Sequence, residues 1–226
     1  MTDLAQRDDT RDEEERRAAS RAIAQPPLSA RLGWRVVDIV VVAILAVAAG
    51  LVFRFWDGAS APFYEAMGAA TPGLDGLVGG VWFIGGVLGA VIVNKPGAAL
   101  LVEALGGLVS VVLGSPWGME TFYIAVAQGL GSELFVLPFR YRHRSRAGIA
   151  LPAVCAGVGG AVGGWVYGLL FSGNLALGGE YLTISLVSTV VSGAVLAGAL
   201  GWLLTVSLAA TGALDRFPIG RLRARV

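Results

Sequence analysis

A chain of 226 residues that is 55% apolar and only 15% charged, with a mean hydropathy of +0.71, is too oily for a soluble domain, in which about a quarter of residues carry charge. The formal net charge of +1 conceals a strong asymmetry in where the 17 basic residues lie. The single cysteine, Cys155, stands in a glycine-rich apolar run, which excludes a disulfide framework or a cysteine metal cluster and reads as packing. Glycine, at 33 residues, is about twice its usual share; in a bilayer small residues let helix backbones approach closely, which points to a compact all-α bundle.

Residues 1–33 mix six arginines with seven acids around Pro26-Pro27. They have almost no apolar periodicity and are expected to be a largely disordered cytoplasmic tail. No apolar core follows a short basic region there, so a signal peptide is not expected. Residues 34–216 form the expected membrane domain, and 217–226 a basic cytoplasmic tail. Six runs can each cross roughly 30 Å of hydrocarbon at about 20 residues per helix: 36–55, 74–93, 97–114, 119–138, 148–171 and 182–212. The third is short.

Orientation follows from the loops. Arg31 and Arg35 precede the first run, Lys95 lies between the second and third, Arg140, Arg142, Arg144 and Arg146 follow the fourth, and Arg216, Arg221, Arg223 and Arg225 end the chain. The other loops hold Asp57, Glu65, Asp75, Glu120 and Glu180 without lysine or arginine. The positive-inside rule therefore puts both termini in the cytoplasm. Arg54, beside Trp56 and Asp57, is the exception and reads as a snorkelling interfacial anchor or a ligand contact. Trp34 and Trp117 fall at interfaces, Trp34 as a belt residue and Trp117 open between belt and binding roles.

Catalytic signatures are missing. The chain has no G-x-x-x-x-G-K-[ST] phosphate loop, and its one histidine, His143, sits in the basic loop Arg140-Tyr141-Arg142-His143-Arg144 far from any buried serine. Neither a metal site nor a cofactor is expected. Small residues recur four apart at Gly160, Gly164 and Gly168, at Gly85 and Gly89, and at Ala46 and Gly50. Such grooves mostly pack a bundle; the face with Ala43, Ala46 and Gly50 is the candidate for docking a partner protein.

Few polar residues interrupt the spans, and carboxylates at membrane depth are functional-site candidates. Two of them, Glu103 and Glu133, lie in the stretch Asn94–Phe139. Counting about 1.5 Å per residue, Trp82, Trp165, Gln128 and Glu103 share a layer roughly 9–16 Å below the outer surface, with Glu133 deeper at about 20 Å. Thr121, Gln128 and Ser132 share one helix face, and Ser185, Ser188 and Ser192 another. These faces line a cavity or make interhelical hydrogen bonds. Glu103 is the first candidate for a ligand amino group and Glu133 the second, each with a structural alternative. Tyr123, Trp82 and Trp165 offer stacking faces for a flat aromatic cation. The long outer segments 56–73 and 172–181 are candidate lids.

Three stretches, Trp34-Arg35-Val36-Val37-Asp38-Ile39, Asn94-Lys95-Pro96-Gly97-Ala98 and Gly131-Ser132-Glu133-Leu134-Phe135, resemble the YkoE-type substrate-binding (S) components of energy-coupling factor (ECF) transporters. The resemblance covers nearly all of residues 34–216. It implies six helices in a bacterial cytoplasmic membrane and uptake of thiamine or its hydroxymethylpyrimidine precursor. It also implies a separate transmembrane coupling protein and two ATPase chains as partners, in agreement with the missing phosphate loop. Small-residue motifs on the first helix of such proteins contact the coupling protein, a pattern that Ala43, Ala46 and Gly50 match only loosely. Glu103 with Gln128 would suit an aminopyrimidine, and aromatic faces with outer acids such as Glu65 or Glu120 would suit a thiazolium. The rival expectations are a self-sufficient proton-coupled transporter using both glutamates and a structural membrane factor without a pocket.

Overall fold

The computed structural model describes residues 32–139, 147–217 and Gly220; the expectations for the tail through Arg31, the basic loop with His143 and the final basic residues fall outside them. From Arg35 onward these residues make one compact unit, helical throughout and without a strand among the described residues.

The first helix, α1 (Val36–Ala59), starts where Arg35 and Asp38 cap one another. The Arg35 backbone N–H donates to Asp38 Oδ2 at 2.9 Å and its guanidinium to both carboxylate oxygens at 3.1 and 2.6 Å. Its Val36, Ile44, Leu51 and Phe55 remain exposed, which suits a lipid surrounding, where an apolar outer surface carries no cost. The segment expected as a loop after residue 55 is instead helical. Helix α1 runs on to Ala59, and α2 (Ala61–Ala70) follows after Ser60 with Pro62 in its first turn, where a missing N–H and a fixed φ favour a helix start.

The second span, Leu74–Val93, changes helix type twice. Leu74–Phe83 is a 3₁₀ helix, Ile84–Leu88 is α-helical (α3) and Gly89–Val93 is a π turn. Ten residues of 3₁₀ helix are uncommon because the hydrogen-bond geometry is poor. Here serines of a later helix, α7 (Gly178–Ser192), supply the missing bonds: Ser188 Oγ donates to the Gly73 carbonyl at 2.6 Å, and Ser192 Oγ donates to Leu77 O at 2.5 Å and accepts from Gly80 N–H at 2.8 Å.

A left-handed turn with Asn94 at φ 54° and Gly97 at φ 82° leads into α4 (Ala98–Val112). At 15 residues α4 is about 22 Å long, shorter than the hydrocarbon core. Arg54 Nε donates to Leu113 O at 3.1 Å, so this cation closes the end of α4 as well as lying near the helix surface. Then come α5 (Glu120–Val136), α6 (Ala150–Phe171), α7, the π segment Gly193–Ala199 and α8 (Leu200–Ala210). Of the six runs drawn from the sequence, five are helices long and apolar enough to cross a membrane, and the third is the shorter α4.

Small residues set the crossings. A methyl group on Gly131 of α5 would overlap the Gly159 carbonyl of α6, so the two backbones touch there. On α1, Ala46 is 2% exposed, and a methyl on Gly50 would collide with Val109 and the Gly106 carbonyl of α4. Ala46 and Gly50 of the expected docking face are thus buried inside the chain; only Ala43 is exposed.

Candidate ligand cavity

A cavity of about 360 Å³ lies where α1 and α4 end, α5 begins, α6 ends and α7 begins. Its size is within the ~300–1,000 Å³ usual for small-molecule sites. Phe53, Phe83, Ala125 and Gln128 are buried members of its lining, and Tyr64, Trp117, Glu120 and Asn174 come from α2, the connecting segments and the start of α5.

The aromatic wall is built to hold its orientation. Trp82 Nε1 donates to Asp57 Oδ1 at 2.9 Å, and Trp165 Nε1 donates to Ser185 Oγ at 3.1 Å. With their N–H groups satisfied, both indoles are left with π faces as their contribution to the cavity. Tyr64 packs on Trp82 with ring centroids 5.9 Å apart, and Trp117 meets Trp82 edge-on at 5.8 Å and 81°. Burial, with Asp75 and Tyr181 nearby, pushes the Tyr64 hydroxyl up to about 12. Gln128 is buried at 6% exposure and reaches the cavity beside Gly164. Asp75 and Glu120 are the acids, and there is no lysine, arginine or histidine, among the described lining residues. Ser172 Oγ donates to Glu120 Oε1 at 3.1 Å, tying the segment after α6 to the start of α5.

The residues expected to share one layer separate. Trp82, Trp117, Trp165 and Gln128 line the cavity; Glu103, Tyr123 and Glu133 do not. Glu103 is fully buried. Its Oε2 accepts the Gly86 backbone N–H at 2.5 Å, and its Oε1 has no hydrogen-bond partner among the described residues. That N–H lies just past the switch from 3₁₀ to α helix, where a regular ladder partner is lost. Glu133 accepts from Gly97 N–H at 2.9 Å and Ala99 N–H at 3.1 Å, so it caps α4 from the neighbouring helix α5. Tyr123 is 54% exposed and packs on Phe122. Among the serines, Ser185 reaches the cavity, while Ser132 donates to Ala156 O at 2.9 Å and Ser188 and Ser192 stitch helices. Both segments expected as lids border the cavity, through Tyr64 in one and Ser172, Asn174 and Tyr181 in the other.

Sequence reasoning missed Phe53, Phe83 and Thr189, ordinary core residues by pattern, and Asp57, which it placed in a loop. Asp57 is 7% exposed. The structure instead places it in α1, which runs on to Ala59.

The fold and this cavity define a multi-pass membrane protein with a cavity of small-molecule size. Residues 37–159 match the family model described as the permease component of an ABC-type cobalt transport system. Over 193 residues the chain is 34% identical to a protein of Bacillus subtilis (strain 168) named an HMP/thiamine permease protein, YkoE, covering 83% of this chain and 91% of that one. A crystal structure of an S-component of an ECF transporter superposes with a TM-score of 0.73 at 33% identity, covering 84% of this chain and 92% of that one. The chain belongs to the YkoE family of ECF-transporter S components.

Proposed function

We propose that this chain captures thiamine or its hydroxymethylpyrimidine precursor and delivers it across the membrane with a separate coupling protein and two ATPase subunits. The observation that carries the reading is the cavity's chemistry: indole and phenol faces, the Gln128 amide and the acids Asp75 and Glu120, with no cationic side chain among the described lining residues. An aminopyrimidine would exchange hydrogen bonds with the amide, and a thiazolium would be attracted to the π faces and the acids. The printed name of the B. subtilis relative supports the same ligand class. A cobalt cargo fits less well, since no group of three His, Cys, Asp or Glu among the described residues is placed to hold a metal ion.

On this reading six helices span the bilayer with both termini in the cytoplasm, and the cavity mouth faces outward, at the end that the basic residues avoid. The docking surface for the coupling protein then includes exposed α1 residues such as Ala43. A self-sufficient proton-coupled carrier gains no support, because Glu103 and Glu133 are bonded to backbone away from the cavity.

Titration of the purified full chain with thiamine and with hydroxymethylpyrimidine, followed by tryptophan fluorescence, tests the ligand. Saturable quenching by either is expected, through Trp82, Trp117 and Trp165. Absence of quenching and of calorimetric heat up to millimolar concentrations of both would reject it.

A further inference from the structure

Behind the cavity wall lies a carboxylate that does not line the cavity. Asp57, 7% exposed in the last turn of α1, accepts the Trp82 indole N–H on Oδ1 at 2.9 Å and the Ser110 hydroxyl on Oδ2 at 3.4 Å. Each carboxylate oxygen thus accepts one hydrogen bond. Arg54, one turn earlier, donates to Leu113 O instead, and no ion pair to Asp57 is formed among the described residues. A buried charge without a counter-ion is destabilising unless other groups stabilise it. Its nearest route of influence is the indole. A carboxylate at the N–H draws positive character to that edge and leaves the ring face more electron-rich, which strengthens attraction for a cation above it. Because Tyr64 and Trp117 both pack against Trp82, fixing this one ring also fixes its neighbours.

We infer that Asp57 is a positioning and selectivity residue: through Trp82 it orients the aromatic wall and biases the cavity toward a positively charged heteroaromatic ring over a neutral one. The inference rests on the cavity being the vitamin site. To the lining acids Asp75 and Glu120 it adds a source of charge selectivity that lies outside the lining.

Thiamine, with its permanent thiazolium charge, and hydroxymethylpyrimidine, neutral at mildly alkaline pH, are the probes, titrated calorimetrically against the full chain. Asp57→Asn keeps an oxygen for the indole N–H and removes the charge. It is expected to lower thiamine affinity about tenfold while changing pyrimidine affinity less than about twofold. Asp57→Ala, which also releases the ring, is expected to weaken both and to shift tryptophan emission. An Asn variant that leaves the ratio of the two affinities unchanged overturns the inference while the vitamin reading survives. A wild-type chain that binds neither probe overturns both. Should the Asn variant not fold, Trp82→Phe retains a ring but breaks the link to Asp57, and an unchanged ratio there has the same overturning force.

Discussion

Glu103 and Glu133 show how a costly side chain can serve the backbone. Glu103 accepts one backbone N–H at an interrupted helix and Glu133 two at a starting one. For Glu103 the carboxamide has an oxygen of the same reach, so Glu103→Gln is expected to retain ligand affinity and most stability. Glu103→Ala leaves the Gly86 N–H unpaired beside a void and should cost about 2–4 kcal/mol, read as a fall in Tm of the detergent-purified chain. Loss of binding in the Gln variant with unchanged Tm would instead give the carboxylate a ligand role. Glu133→Ala removes a two-bond cap and is expected to cost about 1–2 kcal/mol; hydrogen exchange at the start of α4 is the direct measure. Tyr64 adds a pH dependence. Below about 10, its ordinary value, the hydroxyl is protonated in the folded and unfolded chain alike. Between there and about 12 the unfolded chain ionises first, so the folded state loses stability as pH rises through that window. A Y64F variant should lose this part of the alkaline decline in Tm.

Elements fit together here by backbone contact more than by side-chain volume. The Gly131–Gly159 crossing joins α5 to α6, the two helices that carry Gln128 and Trp165 into the cavity. Gly131→Ala places a methyl on backbone, which cannot rotate away, and should cost about 3 kcal/mol or more, seen as loss of monodisperse protein on size exclusion. The 3₁₀ stretch is the second such case. Its carbonyls and one N–H are met by Ser188 and Ser192 of α7, so the aromatic wall bearing Trp82 is held by a helix more than 100 residues away in sequence. Ser192→Ala is expected to loosen that wall and weaken ligand binding several-fold, with smaller change in Tm. Equal affinity for wild type and variant would show that the wall holds without the stitch.

Across the whole molecule, two ends have different tasks. At one end the three stretches that carried the family resemblance converge. Asp38 lies close enough to Lys95 to oppose the burial that lowers this ammonium below its ordinary range, and Glu133 caps the helix that follows Lys95-Pro96-Gly97. The other end holds the cavity. The recognisable motifs are therefore architectural, and the residues that line the cavity have no motif. The described lining residues include no cationic side chain, so thiamine monophosphate is expected to bind at least tenfold more weakly than thiamine; equal affinities would place a phosphate-binding group at the mouth. Reconstituted alone in liposomes, the chain should bind thiamine without accumulating it.

The sequence alone determined the bilayer, the all-helical class, most span positions and the family, because composition, run length and motif order are local properties. It also picked out Trp82, Trp117, Trp165 and Gln128, since polar and amphipathic side chains in an apolar run need a special setting. Only the tertiary structure decided which groups face one space. Glu103 and Glu133 pointed to backbone donors on neighbouring segments, Ala46 and Gly50 to an internal crossing, and Asp57 to an indole 25 residues away. Depth along a helix can be counted from sequence. The direction a side chain faces, and the partner it finds across a crossing where glycines bring two backbones together, cannot.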